Sequence, residues 1–309
     1  MKNRFVAALT AAIVATFAAS GTLAGGLLSI SFLDSMPHST ELNNPYWPLM
    51  PHAANSGMTR TWTYHGEGED GCAVNTITAV EGDTKSDFGG DYLGSIAQVV
   101  KDQEWEVDEC DDVPEDEDLT ELTYDWYLQD DFGNIWYMGE ASRSFEDGCP
   151  SLEDLPDGND WETGGNADYS DLEEDCTEGS WQAGAGEEPG DPDSFNAVAG
   201  VVVPSDMPLG ALEDPLAPGT FYMQEVAEGA EDMAKVLKLE AAFAIDYEES
   251  DFDGGYSGCR KVKEWTALEP GGSVEHKFYC HGEGLLLING VGGGPTESEI
   301  LEEMIDVAP

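Results

Sequence analysis

The chain of 309 residues carries 64 acidic side chains against 12 basic ones, a formal net charge of −52, with 40% apolar residues and eight tryptophans. That field excludes nucleic acid and anionic membrane surfaces as partners, because both need Lys and Arg to meet phosphates. The apolar content is enough for a real core, while the mutual repulsion of the carboxylates calls for counter-ions or bound cations to offset it.

Along the chain, Lys2 and Arg4 precede an apolar run from Phe5 to Ala19, and small residues follow at Ser20, Gly21, Thr22 and Ala24. This is the pattern of a cleaved signal peptide over residues 1–24, which predicts a secreted or periplasmic protein. Residues 25–58 read as a Pro-rich N-terminal linker, with Pro37, Pro45, Pro48 and Pro51 opposing regular structure. Residues 59–309 read as one acidic β domain.

Its strands begin with Thr61–Tyr64, Ala73–Val80 and Ser95–Val107. The clearest hairpin follows. Leu122–Gln129 and Ile135–Glu140 are rich in aromatic and aliphatic residues, and they flank a turn made of Asp130, Asp131, Phe132, Gly133 and Asn134. An acidic, Gly-rich insert at about 147–178 reads as a solvated loop. Gly200–Val203 is a short strand ended by Pro204, and Phe221–Val226 is β-like. Ala227–Ala234 reads as a turn or brief helix, and Val236–Ile245 is open between helix and strand. Strands near Tyr256–Ala267, Val274–Tyr279 and Gly284–Val291 precede a tail, Glu297–Val307, that reads as a short acidic helix.

Six cysteines in an exported chain predict three disulfides, and the sequential pairing Cys72–Cys110, Cys149–Cys176, Cys259–Cys280 suits the local pattern. Cys259 and Cys280 flank an expected hairpin, and Cys149 and Cys176 bracket the acidic insert. With no alternation of helix and strand, the expected fold class is all-β. It is a single antiparallel β barrel or sandwich of about ten strands with disulfide-pinned loops.

Several short motifs are also distinctive: Asn44–Leu49 (NPYWPL), the hairpin from Tyr124 to Glu140, Gly179–Gly184 (GSWQAG), Glu231–Ala234 (EDMA), and Lys263–Trp265 followed by Glu275–Lys277. Through these the chain resembles a family of uncharacterised, exported, β-rich bacterial proteins. The resemblance implies a β-rich fold and supplies no chemistry.

The catalytic signatures are missing. Gly255–Gly258 lacks the spacing of a nucleophile elbow, and no P-loop, dinucleotide fingerprint or H-E-x-x-H occurs. The expected protein is therefore a non-enzymatic exported binding or surface protein that tolerates or binds divalent cations, with calcium the first candidate. Asp251 and Asp253 start like a calcium loop, but Tyr256 stands where the turn needs Gly and Val262 where a bidentate Glu is needed. Met36-Pro37-His38 and Met50-Pro51-His52 repeat a thioether–imidazole pattern suited to Cu(I), so Met50 and His52 are candidate ligands of a periplasmic copper carrier. A third reading is a secreted hydrolase acting on a polysaccharide or other polymer. Its candidate pocket joins His276 to Glu140, Glu231 and Asp232.

Overall fold

The computed structural model describes residues 38–39, 42–48, 59–67, 72–107, 113–115, 118–131, 133–145, 149, 176, 180–184, 197–203, 221–227, 232–246, 250–266, 272–292 and 298–307. Among them lie fifteen strands and a single 3-10 turn at Gly90–Tyr92. The first eight are β1 (His38–Ser39), β2 (Thr59–Glu67), β3 (Cys72–Lys85), β4 (Ala97–Val107), β5 (Leu119–Asp130), β6 (Ile135–Ser144), β7 (Trp181–Gln182) and β8 (Val198–Val203). The others are β9 (Phe221–Met223), β10 (Glu225–Val226), β11 (Asp232–Ile245), β12 (Gly254–Thr266), β13 (Val274–Cys280), β14 (Gly284–Gly292) and β15 (Ser298–Val307).

All pairings are antiparallel and mostly between chain neighbours, so the sheet is a meander that runs β10-β8-β6-β5-β4-β3-β2-β15-β14-β13-β12-β11-β9. The two ends of that order, β9 and β10, are halves of one segment separated only by Gln224. Its first half pairs with β11 and its second with β8. The hydrogen-bonded ladder is not continuous there. A kinked segment instead bridges the two edges, and the sheet curls round into a barrel-like array. Gly200 on β8 makes this approach possible, because a Cβ at that position would run into the Gln224 carbonyl. Only glycine fits.

The tail that reads as an acidic helix is instead β15, nine of whose residues pair with β2. Leu301 is fully buried there and Ile300 packs on the core, so burying a strand face outweighs the helix preference of the Glu residues. Val236–Ile245 likewise settles as strand, paired with β12 along its length.

Within the expected linker, Leu42–Pro48 is packed rather than free. Leu42, Asn44, Tyr46 and Trp47 are buried. Asn44 shapes the segment, since its carboxamide oxygen accepts from Tyr46 N (2.8 Å) and its backbone oxygen from Trp47 N (2.9 Å). Its amide Nδ2 donates to Gly133 O in the β5–β6 turn (2.6 Å), and Gly282 N in the β13–β14 turn donates to Pro45 O (2.6 Å). The Arg260 guanidinium lies 3.7 Å from the centre of the Tyr46 ring. These contacts seat the segment across the barrel end formed by the β5–β6 and β13–β14 turns.

The disulfides Cys149–Cys176 and Cys259–Cys280 are formed, the latter across the β12–β13 hairpin beside the Arg260–Tyr279 pair. Cys72 is also disulfide-bonded, and its expected partner Cys110 lies outside the described residues. The cross-links fit an exported, oxidising setting. The signal peptide, the body of the acidic insert and the rest of the expected linker apart from β1 also lie outside those residues.

Candidate functional site

Period-2 alternation decides what faces the barrel interior. On β5 the inward set includes Asp125 and Tyr127, and on β13 it is Glu275, Lys277 and Tyr279. The outward side chains of β5 are buried as well, because the chain around Phe88 and Trp181 covers that face. Trp126 packs 6.2 Å from Phe88, centre to centre.

The inward side chains surround a cavity of about 300 Å³ to which nearly every strand of the barrel contributes. Trp47 of the plugging segment lines it from the closed end, 5.6 Å from the Tyr279 ring and 6.4 Å from Tyr127. Tyr127 and Tyr137 stack at 4.8 Å. The more exposed carboxylates, Asp232 and Glu275, stand at the starts of β11 and β13, beside the β12–β13 connection and opposite the plug, which marks the mouth.

The charge inside is one-sided. Asp102, Asp125, Glu225, Asp232, Glu264 and Glu275 line the cavity, and Lys277 is the one basic residue among the described residues that does so. Lys277 Nζ pairs with Glu264 (2.9 Å) and Glu275 (3.6 Å), and the Tyr279 hydroxyl donates to Glu264 (3.0 Å). These partners hold the Lys277 ammonium in its charged form despite the desolvation that opposes it. Asp102, Asp125, Glu225 and Asp232, with Glu140 beside them, have no such ion pair among the described residues. Burial is the largest cause pushing their pKa values up; neighbouring carboxylates add to it, and Lys277 partly offsets it at Asp232 and Glu225. Glu225 is raised to about 8, by burial first and then by Asp232 and Asp125.

Tyr137 exposes the consequence. Its hydroxyl lies 2.5 Å from Asp125 Oδ1 and 2.6 Å from Glu140 Oε2. A phenol has one proton to donate. A carboxyl proton donated back to the Tyr137 oxygen satisfies the second short contact, in keeping with the burial and like charges that raise both carboxyl pKa values. Two adjacent carboxyls in a low-dielectric site favour keeping one proton between them.

Trp47 shows a complementary deficit. It is only 8% exposed, and its indole nitrogen is fully buried with no hydrogen-bond partner among the described residues. A buried donor left unpaired costs roughly 1–3 kcal/mol unless something else accepts from it.

The residues singled out in the sequence are split by the fold. Glu140 and Asp232 belong to this cluster, and Glu231 lies outside the described residues. His276 does not join them. It stands on the opposite face of β13 from Glu275 and Lys277, paired with Lys263 and Asn289. There, burial and then Lys261 and Lys263 lower its pKa. Asp251 and Asp253 are exposed in the β11–β12 turn, which is organised by Ser250: its Oγ accepts from Phe252 N (2.9 Å) and donates to Leu301 O (2.7 Å). Met50 and His52 lie outside the described residues. Among those residues, no group of three or more His, Cys, Asp or Glu is placed to hold a metal ion. In the β5–β6 turn, Asp130 accepts from Asn134 N (2.9 Å), Asn134 Nδ2 (2.7 Å) and Trp136 Nε1 (2.8 Å), so side-chain capping organises this hairpin.

Asp102, Asp125, Glu225, Glu264 and Lys277 were missed as site residues because carboxylates are so abundant here that none stands out alone. The available signal was parity: Asp125 is a charged residue in phase with Tyr127 and Gln129 inside an otherwise apolar, aromatic run.

No family model matches the sequence, and no curated protein matches it. Two solved structures do. One is an inferred exported protein with a YmcC-like fold from Bacteroides fragilis NCTC 9343, with TM-score 0.33 and 10% identity over 81% of this chain and 96% of that one. The other is an inferred lipoprotein from Parabacteroides distasonis ATCC 8503, with TM-score 0.34 and 11% identity over 85% of this chain and 99% of that one. Likeness at this level carries no argument about fold or function, which rest on the strands and side chains above.

Proposed function

We propose that this is an exported, non-enzymatic binding protein whose ligand site is the interior of the barrel. The observation that carries the reading is the cavity of about 300 Å³, plugged at one end, with polar groups converging on it. Its size stands at the lower end of the roughly 300–1,000 Å³ typical of small-molecule pockets, so it suits one small ligand rather than a polymer chain. A polymer hydrolase built on His276 has no support, because His276 faces away from the carboxylates. The acidic exterior repels nucleic acid and anionic membranes and gathers divalent cations as a diffuse atmosphere, with calcium and magnesium interchangeable.

A thermal-shift panel of neutral, anionic and cationic small molecules on the mature protein tests the reading. At least one class should raise Tm in the wild type and lose that effect in Val202→Phe, which fills the cavity. No shift from any compound, or an equal shift in the filled variant, would reject an interior site.

A further inference from the structure

The strands that enclose the cavity also have an outer face, and on β11–β13 that face is basic in an otherwise strongly acidic chain. We infer that it docks an acidic segment of another polypeptide, whose carboxylates meet Lys235, Lys238, Lys261 and Lys263 and whose apolar side chains meet the adjoining row of Met233, Trp265 and Val274. This surface lies on the other side of the sheet from the cavity and stands independently of it.

Alternation places the four lysines outside. Asp232 and Glu264 line the cavity, so Met233 and Lys235 of β11, and Lys261, Lys263 and Trp265 of β12, face away from it. The register sets Lys235 opposite Lys263, Lys263 opposite His276, and Lys238 opposite Lys261. Like charges directly across a sheet are destabilising. The chain has 64 acidic residues, yet none of these lysines, nor His276, forms an ion pair among the described residues. Two of them lie over rings instead: Lys261 Nζ is 5.0 Å from the centre of Phe278 and Lys263 Nζ is 4.6 Å from that of Trp265. The cations are felt locally. After burial, Lys238 lowers the pKa of Lys261, and Lys261 and Lys263 lower that of His276. The other described basic residues are not gathered in this way. Lys85, Arg143 and Arg260 are buried, Lys277 lines the cavity, Arg60 donates to Pro48 O (2.7 Å), and Lys101 stands on β4.

Charge complementarity and layout together select the partner. With two ammonium groups held over different rings, the face suits a succession of carboxylates rather than one small anion. Neighbouring strands lie ~4.8 Å apart, so the cationic band across β11–β13 is only about 10 Å wide. Beyond Lys238, the exposed Glu240 on β11 and Asp251 and Asp253 in the β11–β12 turn make the surface acidic again. A nucleic-acid duplex or an anionic bilayer would press its phosphates on those carboxylates, whereas a single polypeptide segment fits within the band. Met233, Trp265 and Val274 pair across the same three strands beside the lysines, and all three are half-buried. An apolar row alongside a cationic one favours a polypeptide that mixes acidic and apolar side chains over a uniformly charged polymer.

Fluorescence anisotropy on the mature protein, with a labelled peptide of Glu-Glu-Leu repeats as probe, tests this. Near physiological ionic strength, screening over ~8 Å mutes the chain's distant carboxylates and leaves the adjacent lysines effective. The peptide should bind saturably, and its Gln-Gln-Leu counterpart should compete at least about tenfold more weakly. Lys235→Gln/Lys261→Gln/Lys263→Gln should weaken the probe by about tenfold or more without lowering Tm, while Lys101→Gln leaves binding unchanged. In the wild type, the His276 ring followed by NMR should titrate at higher pH once the peptide is bound, because carboxylates then offset Lys261 and Lys263. That readout needs no variant, so it decides even where the triple substitution fails to fold. No binding, equal competition by the Gln peptide, full affinity in the folded triple variant, or an unmoved His276 titration would each overturn the inference. Displacement of the probe by tripolyphosphate or phosphatidylglycerol vesicles at lower concentration than by unlabelled peptide would overturn the polypeptide as occupant.

Discussion

Replacing Glu225 with Gln should stabilise the protein increasingly as pH rises from about 4.5 to about 8. The folded protein holds this carboxyl at about 8 against an ordinary 4.5, so the native state binds its proton more tightly than the unfolded chain does. The stability linked to that proton is fully present below the ordinary carboxylate range and is lost as pH rises through about 8. Each pKa unit corresponds to about 1.4 kcal/mol, so a fully isolated site would contribute a ceiling of ~5 kcal/mol. Glu225 is partly exposed and shares its proton affinity with Asp232 and Asp125, which brings the expected effect to ~2 kcal/mol. Glutamine keeps the hydrogen-bonding shape and cannot ionise. Urea denaturation across this pH range should give matching stabilities for variant and wild type at the acidic end. The variant should then gain on the wild type as pH rises from about 4.5, reaching ~2 kcal/mol by about 8 and levelling there. Parallel curves, with no divergence on the alkaline side, would refute the claim that this carboxylate is buried among like charges.

Lys277→Met should cost ~3 kcal/mol, because it leaves Glu264 and Glu275 without their cation, and adding Glu264→Gln should recover most of the loss; chemical denaturation of the single and double variants checks both. Gly200→Ala should lower stability by ~2 kcal/mol and open the β8–β10 seam to proteolysis, since the new methyl group meets the Gln224 carbonyl. Asp130→Ala should destabilise by roughly 2–4 kcal/mol, because three donors, the Trp136 indole among them, lose their acceptor. Calcium should neither rescue that variant nor shift its Tm beyond what magnesium does at equal ionic strength.

Much of the fold was legible because sheet periodicity and turn chemistry are local. The Asp130–Asn134 turn is read from five residues, and the Cys259–Cys280 bridge follows from the hairpin between them. The tail was not legible. Ser298–Val307 carries helix-favouring Glu residues, and the edges of neighbouring β14 and of β2, which is remote in sequence, make it a strand. The plug was hidden for a similar reason. Prolines oppose regular structure, but they do not oppose packing, and Asn44 builds an irregular segment whose partners lie about ninety residues away or more. At the site, Glu140 and Asp232 were found through a pocket that the sequence had assembled around His276. Strand alternation places His276 on one face of β13 and Glu275 and Lys277 on the other. A single strand cannot say which face is inside. That is set when the meander curls and Gln224 bridges its two edges.

The account depends most on the barrel interior holding carboxyl groups that stay protonated at neutral pH. Infrared spectroscopy of the mature protein in the carboxyl C=O region, before and after deuterium exchange, measures this directly. A protonated-carboxyl band should be present at neutral pH and diminished in Asp125→Asn/Glu140→Gln. A spectrum in which every carboxyl is ionised at neutral pH would contradict the shared proton at Tyr137 and the acidic pocket built upon it.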